Sequence, residues 1–505
     1  MELLQTRSLR KPRNPEVGAK EDVSFWIVLG SVLFLALRIP AIRIIPPVFD
    51  EVVQLYMARD IATLARFPLY FYGQHYMGPL ESYFLAPVLG VFGFSFVTAR
   101  FFYQLFYMAF AAMFVGIVRK FFDRETAVYT FLLLAVLPYP ALHFTAIVAY
   151  EEILTVMMLC LALLLGRSFF WLGFFSGIGF WCNGIALVWF APLGLSLMIG
   201  IPSEDRRKAF LWTGVGAVAG LFPIWIHGLQ TGTLIDMKGG GGGFAAMGDL
   251  PRLFYLFFAR MKYFLSTNLY EPGSWAAHSI HLFSFFPFTL FAISLVAFAV
   301  SSLRMFHRLN PEEKNFRFFV VLPPFILAAL YSVRNLVAVE GIRFYLPLLA
   351  SYPFVVAWGI RRLPSLFWKR ILLGFLVTML TVFNGASLKV QLRDRSEMDQ
   401  MVRILEENKA TVGIGGMAVA YTLNALSHER ITATPPLPEA RYQAAWEAVR
   451  ERGPQFYIAE RGADPDLEQK LAAEPDLTKV SLAHYDVFYG LSPLLKELLG
   501  VEKPS

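Results

Sequence analysis

Apolar runs of membrane-spanning length constrain the fold of this 505-residue chain more than any other feature. Runs near the length of about 20 residues that crosses a bilayer recur between residue 23 and about residue 386. The chain is 56% hydrophobic, contains 49 Phe residues and is only 16% charged, against about a quarter in soluble proteins. The sequence therefore predicts an all-α polytopic membrane protein.

The basic residues lie in clusters between the apolar runs, which is the distribution that cytoplasmic loops show. With these clusters placed inside the cell, the chain makes about 11 crossings of the cell (inner) membrane. We expect residues 1–22 in the cytoplasm and a transmembrane domain at 23–386 with outer loops at 46–96 and 229–279. The net charge of +7 is then a consequence of topology and does not indicate a nucleic-acid partner.

Both outer loops contain helical patterns. Asp50–Arg66 has apolar residues at helical spacing with charges opposite them, which predicts a helix lying on the membrane surface. Leu80–Phe94 is short and contains Pro87, so we expect an interfacial or re-entrant helix. Gly239–Gly243 precede an amphipathic pattern near 250–265, and these glycines suit either a mobile lid or a plain flexible linker.

The composition changes to that of a soluble protein after residue 386. Helical patterns at Glu397–Asn408 and Arg441–Arg452 alternate with strand-like runs at Thr411–Ile414 and Gln455–Ala459. This alternation predicts a small C-terminal α/β domain at 387–505, on the extracytoplasmic (periplasmic or extracellular) side. No catalytic motif stands out in this domain.

Two adjacent acids, Asp50 and Glu51, follow the first apolar run almost at once. Carboxylates are costly next to a bilayer and often mark a functional site there. The functional interpretation is a general base, a substrate clamp or a metal ligand. The structural alternative is a helix cap with a favourable first-turn acid.

Further polar side chains are predicted on the same face of the membrane. Gln74, His75 and Glu81 flank a Gly78-Pro79 turn that would bring them together, although an interfacial aromatic loop explains them equally well. Glu151 and Glu152 open a later helix, either as helix-start acids or with one of them facing a cavity.

Basic residues also flank the outer turn between two late helices, at Arg334 and Arg343, and Tyr345 follows closely. An arginine at this level can bind a phosphate through its planar fork. Snorkelling or a salt bridge with Glu340 is the alternative.

The evidence for metal ligands and disulfides is weak. His75 has no partner at ligand spacing, so a divalent metal ion stays open and no cofactor is certain. Cys160 and Cys182 both lie inside apolar runs and are expected to be packing residues.

Together these segments resemble one family over roughly residues 23–390. The acid pair in Phe49–Tyr56, the block Gly73–Glu81 and the run Arg343-Phe344-Tyr345-Leu346-Pro347 are similar to the C-type, polyprenyl-phosphate-dependent glycosyltransferases. Among these enzymes, the sequence resembles the protein O-mannosyltransferase-like glycosyltransferase family 39 and the lipid A aminoarabinose transferases.

The resemblance implies the C-type glycosyltransferase fold, with Asp50 catalytic and Glu51 in support. It also implies contacts from Arg343 and Tyr345 to the phosphate and the lipid carrier. The aminoarabinose transferases have a phosphate-contacting lysine where this chain has Gly78. His75, Arg334 or Arg343 would then have to supply the positive charge.

The implied partners are a polyprenyl-phosphate-linked monosaccharide, membrane lipids and a hydroxyl acceptor on a glycan, lipid or protein. Since the phosphate leaves without protonation by a strong acid, one carboxylate suffices as base, and inversion at the anomeric carbon is predicted. The main alternative is a transporter or flippase of lipid-linked sugars. Against it, no inverted repeat is visible, and the polar residues concentrate on one face of the membrane.

Overall fold

The structure, a computed structural model of the chain, describes residues 24–74, 77–148, 151–233, 250–265, 285–333, 339–436 and 440–499. It is mostly helical, with one small sheet near the C-terminus. The α-helices of the apolar region are, in chain order, α1 (Ser24–Ile44), α2 (Phe49–Ala62), α3 (Leu80–Phe92), α4 (Phe96–Phe121), α5 (Arg124–Ala135), α6 (Tyr139–Phe144), α7 (Glu151–Leu165), α8 (Phe169–Cys182), α9 (Leu187–Ile199), α10 (Ser203–Gly220), α11 (Phe222–Thr231), α12 (Leu250–Phe264), α13 (Phe286–Met305), α14 (Pro311–Val333), α15 (Tyr352–Arg361) and α16 (Leu366–Glu407). Short 3-10 helices lie at Gly184–Ala186, Phe306–Arg308 and Val339–Ala350.

Beyond α16, strands and helices alternate. They are β1 (Val412–Gly415), α17 (Met417–Leu426), β2 (Thr432–Thr434), α18 (Gln443–Arg452), β3 (Phe456–Glu460), α19 (Pro465–Ala473), β4 (Leu477–Ser481), β5 (Tyr485–Gly490) and α20 (Pro493–Leu498). The strand order is β2-β1-β3-β5-β4, parallel for the first three strands and antiparallel for the last two. We call residues 408–499 the tail domain.

Side-chain caps define where several of the membrane-region helices begin. Ser95 accepts a hydrogen bond from the Thr98 N–H at the start of α4 (3.3 Å), and Asp123 accepts one from the Thr126 N–H at the start of α5 (2.7 Å). Such caps satisfy backbone donors that the first helical turn leaves unpaired. The carboxylate of Asp123 also pairs with Arg361 (3.1 Å), which joins the start of α5 to the end of α15.

Four helices within the described residues are long and apolar enough to cross a membrane: α1, α4, α13 with the short 3-10 turn after it, and α16. A fifth span results if α10 and α11, which meet at a bend of 47°, count as one. The predicted count of about 11 crossings is therefore not confirmed. One reason is that an apolar run can be broken, as at Pro138, which separates α5 from α6 and leaves two short helices in place of one span.

The helix α2 forms where a helix was predicted, but it does not lie on a surface. Every residue from Asp50 to Ala58 is buried, because α2 packs between α3 on one side and α17 of the tail domain on the other. The helical spacing was therefore interpreted correctly and the environment was not. The contact also places the start of α2 and the tail domain on the same side of the membrane.

The predicted elements of the tail domain are confirmed. The runs Thr411–Ile414 and Gln455–Ala459 correspond to β1 and β3, and Arg441–Arg452 corresponds to α18. The predicted domain boundary after residue 386 falls inside α16, which continues unbroken to Glu407.

Three smaller predictions have different outcomes. The amphipathic pattern near 250–265 forms α12. Cys160 and Cys182 are free and buried, in agreement with a packing role. The Gly239–Gly243 run lies outside the described residues.

The helices α8 and α10 pack with their backbones in contact. A Cβ atom at Gly216 would overlap the backbone of Phe170, and one at Gly173 would overlap the backbone of Thr213. Small residues that allow such close approach are typical of helix pairs in membranes. Gly214, on the same helix, faces open space.

This packing predicts opposite effects for two alanine substitutions on α10. Gly216→Ala forces the helices apart and should destabilise the protein by about 1–3 kcal/mol. Gly214→Ala should be neutral or slightly stabilising, because alanine favours a helix over glycine. Thermal unfolding of both variants in detergent measures the difference, and equal melting temperatures would contradict the contact.

Candidate active site

Asp50 lies in the first turn of α2, directly after the Pro46-Pro47-Val48 segment that leaves α1. The N-cap position is Val48, which makes no side-chain cap, so Asp50 is not the capping residue. Its carboxylate instead accepts a hydrogen bond from Nη1 of Arg441, at 2.7 Å. The Asp50 side chain is only 9% exposed and that of Arg441 is 17% exposed. The Asp50 carboxylate of the first loop and the Arg441 guanidinium of the tail domain therefore form an ion pair with little exposure to solvent.

Glu51 points the other way and forms a fully buried ion pair with Arg100 of α4. The Arg100 Nε and Nη2 atoms donate to the two Glu51 oxygens at 2.6 Å each. The remaining Arg100 donors reach backbone carbonyl oxygens of Ile42, Ile45 and Pro46 at 2.7–3.3 Å. Glu51 also accepts the N–H of Val148 at 3.0 Å. The pair ties the end of α1, the start of α2, α4 and the segment before α7 together.

A third acidic side chain, Glu81, is buried at the first turn of α3, close enough to Asp50 for the charge of Asp50 to act on it. The amide of Gln54 donates to Oε1 of Glu81, and its oxygen accepts from Ser82. The other oxygen of Glu81 has no hydrogen-bond partner among the described residues. Burial, together with the charge of Glu152, raises the pKa of Glu81 well above its usual value. The carboxyl can therefore retain its proton and act as a hydrogen-bond donor.

Glu152 is the described member of the predicted acid pair on α7. It is buried and accepts a hydrogen bond from the hydroxyl of Tyr103 on α4. Its charge acts on Glu81, so the structure brings Glu152 close to the residues around Asp50. The backbone of Glu151 begins α7, and its side chain lies outside the described residues.

The predicted Gly78-Pro79 turn packs against α8. The N–H of Gly78 donates to the carbonyl oxygen of Trp181 at 2.7 Å, and a Cβ at position 78 would overlap the Trp181 ring. No side chain fits here without a shift of that ring. Gln74 is buried just before the turn and its N–H bonds to the carbonyl of Phe71 (2.9 Å), while His75 lies outside the described residues.

The late basic segment is described only in part. Arg334 and the side chain of Arg343 lie outside the described residues. Tyr345 is fully buried, and its hydroxyl donates to the carbonyl oxygen of Phe257 on α12 at 3.0 Å. This contact attaches α12 to the 3-10 helix that contains Tyr345.

In the described part of the chain, no group of three or more His, Cys, Asp and Glu side chains is arranged to hold a metal ion. The acids gathered around α2 are instead bound to arginine, glutamine and tyrosine side chains.

Sequence reasoning missed two residues of this site. Arg100 is a charged residue inside a membrane-length apolar run, a signal that usually indicates a buried partner or a functional role. Arg441 carried no such signal, because its contact with Asp50 spans 391 positions of sequence. The sequence shows no catalytic motif in the tail domain, but the contact from Arg441 to Asp50 brings this domain to the candidate site.

The buried pair predicts a large difference between two charge-removing substitutions. Glu51→Gln leaves Arg100 without its anion inside the protein, which typically costs about 3–5 kcal/mol. Asp205→Asn breaks an exposed pair with Arg167, about half exposed on each side, and should cost at most about 1 kcal/mol. Thermal unfolding in detergent should rank the variants in this order. A similar melting temperature for both would show that the buried pair does not hold the site.

No family model matches the sequence, and no curated protein matches it either. Solved structures do. ArnT from Cupriavidus metallidurans in the apo state has a TM-score of 0.60 and 13% identity, over 95% of this chain and 99% of that one. The same protein bound to undecaprenyl phosphate has a TM-score of 0.59 and 11% identity, over 93% and 99% of the two chains.

Archaeal oligosaccharyltransferase AglB from Archaeoglobus fulgidus, in complex with an inhibitory peptide and a dolichol-phosphate, is a weaker match. It has a TM-score of 0.46 and 11% identity, over 93% of this chain and 74% of that one. ArnT, a lipid A aminoarabinose transferase, represents the group that the acid pair, the Gly73–Glu81 block and the Arg-Phe-Tyr-Leu-Pro run resemble. The likeness to ArnT over almost the full length of both chains shows that this protein has the C-type glycosyltransferase fold.

Proposed function

We propose that this protein is an inverting glycosyltransferase that moves a monosaccharide from a polyprenyl phosphate to a hydroxyl acceptor at the outer face of the membrane. The observation that carries the proposal is Asp50, a nearly buried carboxylate paired to an arginine in a chain with the C-type glycosyltransferase fold. That ArnT binds undecaprenyl phosphate supports a polyprenyl-phosphate donor. The sugar and the acceptor, a glycan, lipid or protein hydroxyl, are left open.

In this mechanism Asp50 is the general base. Its carboxylate takes the proton of the acceptor hydroxyl while that oxygen forms a bond to the anomeric carbon. The bond from this carbon to the phosphate oxygen breaks on the opposite face, so the configuration inverts. The donor phosphodiester carries one negative charge, and the departing polyprenyl phosphate takes the bonding electron pair and a second charge. Nearby cations stabilise that developing charge.

The remaining acids have supporting roles in the proposal. Glu51 is held by Arg100 and fixes the start of α2, which orients Asp50. Glu81 lies near Asp50 and Glu152 lies near Glu81, and both are suited to hydrogen bonds with sugar hydroxyl groups, together with Gln74. His75, Arg334, Arg343 and Tyr345 stay as predicted contacts for the phosphate and the lipid.

The proposal also includes the location of the protein and the side of the membrane on which its active site lies. The apolar helices embed the protein in a membrane. With the basic clusters in the cytoplasm, the N-terminus is cytoplasmic, and Asp50 and the tail domain face the periplasm or the exterior. A donor with its tail in lipid and its sugar outside then needs no nucleotide.

Substitution of the base tests the proposal. Asp50→Asn keeps the shape of the side chain and should lower sugar transfer from a synthetic polyprenyl-phosphate sugar by about 100-fold or more. Asp60→Asn is a matched control on the same helix, since Asp60 accepts from Tyr72 and not from Arg441. Turnover is measured on purified protein in lipid nanodiscs.

Two results would contradict the proposal. If Asp50→Asn turned over at the wild-type rate, Asp50 would not be the general base. A flippase would instead move the lipid-linked sugar across the vesicle membrane without any acceptor. It would also show no glycosyl transfer when an acceptor is present.

A further inference from the structure

The tail domain is docked firmly against the first outer loop. The ring of Tyr442 stacks on Tyr56 of α2 with centroids 4.1 Å apart, and its hydroxyl accepts from Nη2 of Arg59 at 2.6 Å. Arg59 also forms an ion pair with Glu429. The hydroxyl of Thr422 donates to the carbonyl oxygen of Pro47 at 2.6 Å, three residues before Asp50. These contacts fix the position of the segment that carries Arg441.

Arg441 itself occupies a socket with three fixed walls. Its backbone N–H and that of Tyr442 both donate to the hydroxyl of Tyr421, at 2.8 and 3.0 Å. Its guanidinium lies over the rings of Phe49 and Phe71, at 4.9 and 5.7 Å from their centroids.

The third wall is the backbone of Gly73. This residue has a φ of +73°, a conformation that favours glycine, and a Cβ there would lie 3.1 Å from Cγ of Arg441. The first loop is therefore shaped to admit this arginine. The aromatic rings favour a cation between them.

The two arginines near the start of α2 differ in how far they are available to an anionic ligand. Asp50, Glu51, Glu81 and Glu152 are gathered around the start of α2. Arg100 donates from every nitrogen to Glu51 and to backbone carbonyls and is fully buried. Arg441, in contrast, contacts Asp50 and is still partly exposed.

From these observations we propose that Arg441 of the tail domain binds the phosphate of the polyprenyl donor, and that Asp50 is its counter-ion only until the donor arrives. This inference rests on the proposed function and names a residue for it. A guanidinium can hold two phosphate oxygens at once. On binding the phosphate it releases the Asp50 carboxylate, so that the base becomes available when the donor is in place. The same cation stabilises the second negative charge that forms on the leaving phosphate.

Binding of undecaprenyl phosphate to the full-length protein in nanodiscs, measured by native mass spectrometry, tests the inference without any turnover. Arg441→Ala should weaken this binding by about tenfold or more, because a charge-assisted hydrogen-bonding group is lost. The affinity of Arg441→Lys should lie between those of wild type and Arg441→Ala, because lysine keeps the positive charge but lacks the planar guanidinium fork. Asp50→Asn should bind the lipid phosphate as tightly as wild type or tighter, since the competing carboxylate is gone.

Two controls separate a phosphate contact from a general loss of structure. Arg430→Ala removes an exposed arginine of the same domain, paired with Glu406, and should bind like wild type. Undecaprenol, which lacks the phosphate, should bind equally to wild type and Arg441→Ala. An equal loss of undecaprenol binding would overturn the inference, because the tail domain would then act through its docking.

The inference and the proposed function fail in different ways. If Arg441→Ala binds undecaprenyl phosphate like wild type while turnover falls, Arg441 only positions Asp50 and the inference is wrong, whereas the proposed function stands. If wild-type protein does not bind undecaprenyl phosphate above undecaprenol, both are wrong.

Discussion

The buried ion pair between Glu51 and Arg100 is the interaction on which the geometry of the site depends. Two charges removed from water are costly unless each finds partners, and here every Arg100 nitrogen and both Glu51 oxygens have them. The partners come from the end of α1, the start of α2, α4 and the segment before α7. The pair therefore sets the angle at which α2 leaves the first membrane helix. Asp50 is adjacent in sequence, so its direction is set as well.

The two neighbouring acids consequently have separate tasks. Glu51 faces the helix bundle and is saturated by a partner that cannot leave, whereas Asp50 faces the tail domain and meets a partner that is partly exposed. A carboxylate that acts as a general base must be able to leave its ion-pair partner, whereas a carboxylate that only holds the structure together need not. Glu81 adds a buried carboxyl group near Asp50, and Glu152 adds another near Glu81.

The sequence predicted the helical membrane region, the acid pair and the main strands of the tail domain, because these depend on local patterns such as apolar runs and alternation. It could not predict that α2 is buried, since helical spacing reports which face is apolar and not what covers the other face. Nor could it find Arg441, whose role depends on how the tail domain docks. The crossing count is not confirmed, because breaks such as the one at Pro138 divide apolar runs into helices that are too short to count as spans. At position 78 the structure accounts for a difference that the sequence could only record. The ring of Trp181 packs against the turn, so a lysine would not fit at Gly78 without a shift of that ring.

We propose that Asp50 and Arg441 together form the site where the lipid phosphate and the sugar meet. An electron cryomicroscopy map of the full-length protein in nanodiscs with undecaprenyl phosphate tests it most directly. We expect phosphate density against the Arg441 guanidinium, with the Asp50 carboxylate separated from that guanidinium. Phosphate density elsewhere, with the Asp50–Arg441 contact intact at 2.7 Å, would contradict it.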